Sequence, residues 1–178
     1  MYRISELTQL DRKLFHTSDL AILWGITNKH NLYMTITRYI DKGVIFPIYK
    51  GLYSIVPVTT LDPLELGKAV IHRYTYLTTE SVLAQAGIIS QITYAYTFVS
   101  SVSKRVTVGS LAFHFRQLKV EYLYNPIGVI NQKDVFVASP ERAAADMLYF
   151  NPKYHFDAAG ILDMDKVKSI QKEVGYPC

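Results

Sequence analysis

The fold is decided by K-H-N-L-Y-M-T-I-T-R-Y-I-D-K at residues 29–42 and by V-I-F-P-I-Y-K-G-L-Y-S-I-V at residues 44–56. The first stretch predicts an amphipathic helix that Gly43 ends, because four apolar residues recur at helical spacing. They are Leu32, Ile36, Tyr39 and Ile40. The second stretch has two β-rich runs around Lys50-Gly51 and predicts a hairpin, since glycine readily adopts the backbone of a tight turn.

Two further helices are expected upstream of this pair. Residues 4–15 carry apolar side chains at helical spacing with charges between them, which predicts a first amphipathic helix. Thr17 or Ser18 is expected to cap a short second helix that Gly25 ends. The order helix, helix, tight turn, helix and hairpin is that of a winged helix-turn-helix, which presents its last helix to the DNA major groove.

This geometry predicts which side chains would face DNA. If the apolar residues of 29–42 pack inward, the polar residues on the outer and flanking faces become candidate contacts for base edges or phosphates. Lys50 at the hairpin tip is suited to a backbone or minor-groove contact. The nine predicted DNA-binding residues are Thr27, Asn28, Lys29, His30, Asn31, Tyr33, Thr37, Arg38 and Lys50.

Residues 1–57 are therefore predicted to form the winged helix-turn-helix, and residues 58–178 a mixed α/β effector or antitoxin domain, in an α+β protein. Pro63 suits the first turn of a helix that reaches about residue 73. The segments after it predict a strand at 75–77, a helix at 79–86, and strands in T-Y-A-Y-T-F-V-S-S-V, R-V-T-V, A-F-H-F-R and K-V-E-Y-L-Y. A strand at 134–138, a helix capped by Ser139 and a last helix at 165–173 complete the chain.

Charge and cysteine content narrow the class of protein. The net charge is +4, and residues 1–57 hold seven Lys or Arg against four Asp or Glu, so most of the excess lies in the first third. Such a distribution favours a polyanionic partner. The only cysteine is Cys178, and no apolar leader or membrane-length apolar run occurs, so we expect a cytoplasmic protein that does not cross a membrane.

Enzymatic alternatives lack their required spacing. A metal-dependent nuclease commonly needs a separated Asp followed by Asp/Glu-x-Lys, and the only such triplet, Asp11-Arg12-Lys13, lies in the predicted first helix with no Asp before it. A nucleotidyltransferase needs a Gly-Ser close to paired acids, but Gly109-Ser110 and Asp163-Met164-Asp165 are far apart. The five histidines show no metal-ligand spacing. We expect that the chain is not an enzyme and that it has no metal site and no cofactor.

Several charged and aromatic residues of the second half have two readings. Glu80, Glu141 and Asp146 are interpreted as helix-start or surface acids, with Glu80 and Arg105 also candidates for partner contact. Four basic residues are interpreted either as an extension of a DNA-facing surface or as part of a solvated strand face. They are Lys104, Arg105, Arg116 and Lys119. The alternating aromatics fill a core, or an exposed subset forms a protein-binding face.

Several segments together resemble a known family. T-S-D-L-A-I-L-W-G-I, I-D-K-G, Y-K-G-L-Y-S-I, T-Y-L-T-T-E-S-V-L-A-Q-A-G-I-I and A-S-P-E-R-A-A-A-D-M-L-Y are similar to the AbiEi-type antitoxin and transcriptional regulator family of abortive-infection, type IV toxin-antitoxin systems. The resemblance spans residues 5–150. It implies a winged helix that binds repeats in its own promoter and a C-terminal domain with antitoxicity toward a nucleotidyltransferase toxin. The chain is shorter after S-P-E-R than longer members of that family.

The expected function is sequence-specific binding of double-stranded promoter DNA and autorepression. A homodimer, or two copies on a repeat, would supply useful affinity, since one small winged helix buries limited surface. The alternative is a protein-interaction module that neutralises a partner toxin, with DNA binding secondary or lost.

Overall fold

A computed structural model describes the backbone of residues 2–177 and the side chains of residues 4–177, so Cys178 lies outside the described residues. The chain divides into two compact units, one ending at Asp62 and the other beginning at Pro63. The boundary expected after residue 57 falls five residues short of this division. Both units mix helices with sheet, and the larger sheet is itself mixed, which confirms the predicted α+β class.

The N-terminal unit contains three helices and a three-stranded antiparallel sheet. In chain order these are α1 (Tyr2–Thr8), β1 (Leu14–His16), α2 (Thr17–Leu23), α3 (Lys29–Asp41), β2 (Phe46–Tyr49) and β3 (Leu52–Ser54). The strands lie in the order β1-β3-β2. The helices and the sheet enclose one apolar core, whose buried members are Leu7, Phe15, Leu20, Trp24, Leu32, Ile36 and Ile45.

Two predictions for this unit are wrong. The first helix ends at Thr8 rather than near residue 15, because residues 14–16 pair with β3 and Phe15 is thereby buried completely. The cap of α2 is His16 rather than Thr17 or Ser18; its N–H donates to the Asp19 carboxylate at 2.8 Å. The Asp19 side chain in the first turn thus accepts a hydrogen bond from the backbone at the start of the helix.

The C-terminal unit is built around a six-stranded sheet in the order β6-β7-β5-β4-β9-β8. Its strands are β4 (Thr75–Leu77), β5 (Ala95–Ser100), β6 (Lys104–Val108), β7 (Leu111–Gln117), β8 (Val129–Gln132) and β9 (Val135–Ala138). The pairs β4·β9 and β5·β7 are parallel and the others antiparallel. The helices are α4 (Pro63–Ile71), α5 (Glu80–Gln85), α6 (Val120–Leu123), α7 (Pro140–Phe150) and α8 (Met164–Val174).

The strand expected in K-V-E-Y-L-Y is absent, and that segment forms the one-turn helix α6. Tyr122 and Leu123, which are adjacent in sequence, are both buried; the two faces of a strand would separate them. Strand β8 was not predicted. It is paired to β9 through a two-residue turn in which Lys133 and Asp134 have φ of 49° and 67°.

None of the helices between residues 2 and 177 combines the length and the apolar character that a membrane crossing requires.

Candidate nucleic-acid interface

The rotation of α3 about its axis is fixed by its apolar side. Leu32 and Ile36 lie one helical turn apart and are only 5% and 2% exposed. Tyr39 and Ile40 pack against the same core, and the ring centroids of Tyr39 and Trp24 are 5.4 Å apart. The side of α3 opposite these residues must therefore face outward.

All nine predicted DNA-binding residues are exposed. On α3 these are Lys29, His30, Asn31, Tyr33, Thr37 and Arg38; Thr27 and Asn28 precede the helix, and Lys50 lies in the hairpin turn. At about 100° per residue, His30 and Arg38 lie nearest the centre of the outer side among the predicted residues, and Tyr33 lies toward its edge. Lys29 projects on the same side as Ile36 and is exposed because it is the first residue of the helix. The helix thus presents polar groups around the middle of its open face.

Asn28 has a structural role that the sequence reading missed. It is the N-cap of α3, and its side-chain oxygen accepts a hydrogen bond from the Asn31 N–H at 3.0 Å. The Asn31 carbonyl in turn accepts from the Thr35 hydroxyl at 2.8 Å. Because capping engages the carboxamide oxygen of Asn28, this residue positions the helix start and is a weaker candidate for reading adenine.

The hairpin turn is tied to the start of α2. The Gly51 carbonyl accepts two hydrogen bonds from Thr17, at 2.9 Å from the backbone N–H and at 3.2 Å from the hydroxyl. Gly51 has φ of +69°, and a β-carbon there would lie 3.1 Å from the Thr17 hydroxyl oxygen. Glycine is required both for the turn and for this close approach. The exposed Lys50 is thereby carried on an anchored turn.

The charges of α3 are arranged unevenly. Lys29 lies in the first turn, and Arg38 and the exposed Lys42 lie at the other end with one acid, Asp41. Arg12 and Asp19 are paired with each other, so Arg12 is partly neutralised. Lys42 and the exposed Met34 were not among the predicted contacts. A helical projection of residues 29–42 that included apolar residues would have found Met34.

The three acids of the C-terminal unit that the sequence singled out each pair with a basic side chain. Glu80 pairs with Arg116 through one carboxylate oxygen, and the guanidinium of Arg116 lies 5.2 Å from the Phe150 ring centroid. The other oxygen of Glu80 is buried without a hydrogen-bond partner among the described residues. Glu141 pairs with Lys166 at 3.4 Å. Asp146 was interpreted as a surface acid, and this is wrong: its side chain is fully buried on α7.

Arg142 and Asp146 form a buried hydrogen-bonded network. Asp146 accepts from the guanidinium of Arg142 and from the hydroxyls of Tyr76, Thr78 and Tyr176. The remaining guanidinium donors reach the Tyr76 hydroxyl and three backbone carbonyls, those of Tyr122, Asn125 and Ile127. Every polar atom of this ion pair thus has a partner, which indicates a structural role.

Burial sets the protonation of this network. It raises the pKa of Tyr76 and of Tyr176 well above the ordinary tyrosine value, and the negative charge of Asp146 adds to the effect. Burial alone would lower the pKa of Arg142, but Asp146 together with Tyr76 and Tyr176 more than offsets this and leaves it raised. Both tyrosines stay neutral and the arginine charged at ordinary pH.

Comparison with known proteins gives a likeness of fold. No protein-family model matches the chain, and no curated protein matches it. Among solved structures, the chain is similar to the crystal structure of RV2827C protein from Mycobacterium tuberculosis, with a TM-score of 0.58 and 12% sequence identity. The match covers 98% of this chain and 70% of that one. At this identity the likeness concerns the fold alone.

Proposed function

We propose that the chain is a sequence-specific DNA-binding transcriptional regulator whose N-terminal unit is a winged helix-turn-helix, and that it represses its own promoter. One observation carries the proposal. Helix α3 buries Leu32 and Ile36 and leaves every predicted contact residue exposed, beside a hairpin whose tip carries Lys50. We propose no enzymatic activity and no cofactor, and a cytoplasmic location because the target is promoter DNA.

The charges suggest how α3 would enter the groove. Lysines and arginines gather the duplex by releasing its counterions, and base-edge contacts then select the sequence. The N-terminus of a helix carries partial positive charge, which phosphates favour, whereas Asp41 near the C-terminal end would repel them. We therefore expect the half of α3 that begins at Lys29 to lie deepest in the major groove. Lys50 would then contact the flanking DNA backbone or the minor groove.

Salt-dependent DNA binding tests this function. Fluorescence anisotropy would follow a labelled duplex from the region upstream of the chain's own reading frame. Wild type should bind with an affinity that falls steeply as salt rises, and Arg38→Ala and Lys50→Ala should each weaken binding and reduce the salt slope by about one. Lys168→Ala, an exposed charge of α8, is the matched control and should change neither quantity. Equal binding by all four proteins would contradict the proposal.

A second candidate function is neutralisation of a partner protein, for which the C-terminal unit offers a specific surface. Ile92 and Tyr94 are 77% and 87% exposed. The segment that leads to them is anchored, because Ser90 donates from its N–H and its hydroxyl to Asp157 at 2.7 and 2.6 Å. Exposed aromatic and aliphatic side chains on an anchored segment are typical of protein interfaces.

The antitoxin role predicts a nucleotidyltransferase encoded by an adjacent reading frame. Titration calorimetry of that product against the chain should then detect a complex that Tyr94→Ser weakens and that Tyr33→Ser, an exposed tyrosine of α3, leaves intact. Absence of a complex, or equal weakening by both variants, would remove this second function. The DNA-binding proposal does not depend on that outcome.

A further inference from the structure

The centre of the outer side of α3 is occupied by an apolar residue. Met34 is 53% exposed. At about 100° per residue it lies roughly 160° around the helix from both Leu32 and Ile36, the two residues that are buried most deeply. It is therefore nearly opposite the core-facing side, and no other large apolar side chain of α3 points as directly outward.

The neighbours of Met34 on the helix surface are the predicted polar contacts. His30 lies four residues before it, and Thr37 and Arg38 lie three and four residues after it, which are the spacings of adjacent positions on a helix. Met34 is thus enclosed by groups suited to base edges and phosphates. Docking of this face into a major groove would bring the thioether side chain against the base edges at the middle of the contact.

The chemistry of the major groove limits what such a side chain can meet. Guanine, adenine and cytosine present hydrogen-bond donors and acceptors there, and a methionine sulfur is only a weak acceptor. Thymine alone of the four standard bases adds an apolar group, its C5-methyl. Methionine is flexible and polarisable, so it adapts to a small methyl surface.

We infer that Met34 reads a thymine by contact with its C5-methyl group, and that the DNA half-site has this thymine opposite the middle of α3. The inference rests on the proposed DNA-binding function and deepens it by naming a base. A solvent-exposed methionine that only decorates the surface would make no such distinction.

The test compares thymine with uracil, which differs from it only by lacking the methyl group. A binding site would first be selected from a randomised duplex library, and each thymine would then be replaced singly by uracil. Wild type should lose about fourfold in affinity at one position, which is the factor expected for one buried methyl group. Met34→Ala should bind the thymine and uracil duplexes within about 1.5-fold of each other, because the contact is gone.

Ile22→Ala is the matched control, since Ile22 is 80% exposed on α2 and should leave the preference for thymine unchanged. Retention of the full preference by Met34→Ala would overturn the inference, as would a wild type that no single uracil weakens more than about twofold. In both cases DNA binding itself would stand. Failure to select any binding sequence would instead overturn the proposed function and this inference with it.

Discussion

The substitution Asp146→Asn removes the counter-charge of a buried arginine and should strongly destabilise the C-terminal unit. Both side chains are fully buried, and the Arg142 Nε and the Asp146 carboxylate are 2.8 Å apart. Removing one charge from a buried ion pair costs about 3–5 kcal/mol, because the other charge stays buried without compensation. That cost is a large share of the 5–15 kcal/mol by which typical domains are stable.

Urea denaturation followed by far-ultraviolet circular dichroism would measure this loss. With a typical slope for a small domain, the midpoint should fall by about 2 M. Glu141→Gln is the matched control on the same helix. Its ion pair with Lys166, at 3.4 Å, leaves the lysine side chain 56% exposed, so its loss should cost less than about 1 kcal/mol. Similar midpoints for the two variants would refute the assignment of Arg142 and Asp146 as a structural network.

Five further substitutions test three other features of the structure. Thr79 is fully buried with φ of 49°, and its hydroxyl lacks a hydrogen-bond partner among the described residues. Thr79→Gly should therefore leave the free energy of unfolding unchanged or raise it by about 1 kcal/mol. Thr78→Gly loses the hydrogen bond to Asp146 and should cost at least about 2 kcal/mol in the same urea assay. Equal losses would contradict the strain at Thr79. The pKa of Tyr176 is raised in the folded state, so its contribution to stability is intact below the pKa of an unfolded tyrosine, near 10, and is lost as the pH rises above it. Stability should therefore fall from about pH 10 upward. Tyr176→Phe should make that fall shallower in alkaline urea titrations. Gly51→Ala should weaken DNA binding because its β-carbon displaces Thr17. Gly43→Ala, with positive φ but no atom within 4 Å, should cost only about 1–2 kcal/mol of stability. Equal DNA affinities of the two variants would count against an anchored hairpin turn.

Local signals predicted the long elements well. Helix α3 begins at Lys29 as expected and its C-cap is Lys42, because the periodic apolar residues and Gly43 at the end agree with one another. Helix α7 was equally predictable from Ser139 and Pro140, and Ser139 does accept the N-capping bond from the Arg142 N–H.

The short elements were less predictable because partners distant in the chain determine them. Strand β1 exists through its pairing with β3, and nothing in residues 14–16 alone indicates that pairing. Helix α6 alternates in sequence like a strand, but Tyr122 is held by ring contacts with Tyr149 and Tyr176, 5.4 and 5.0 Å away.

The candidate site was predictable in outline, since assigning the buried side of α3 also assigns its exposed side. Met34 was not predicted as a DNA contact because its side chain lacks a strong hydrogen-bonding group. The buried role of Asp146 depends on Tyr76 and Thr78, which are 70 and 68 residues away, and no local pattern reveals such contacts. The segment S-P-E-R-A-A-A-D, which supported the family resemblance, thus includes the two charged residues of a structural network.

Lysine protection most directly tests whether the exposed residues of α3 and of the β2–β3 hairpin meet DNA. The chain would be acetylated with and without the selected duplex, and modification at each lysine measured by mass spectrometry. We predict that DNA protects Lys29, Lys42 and Lys50 and leaves Lys168 and Lys172 of α8 as reactive as in the free protein. Unchanged reactivity at Lys29 and Lys50, with protection confined to lysines of the C-terminal unit, would contradict the proposed interface.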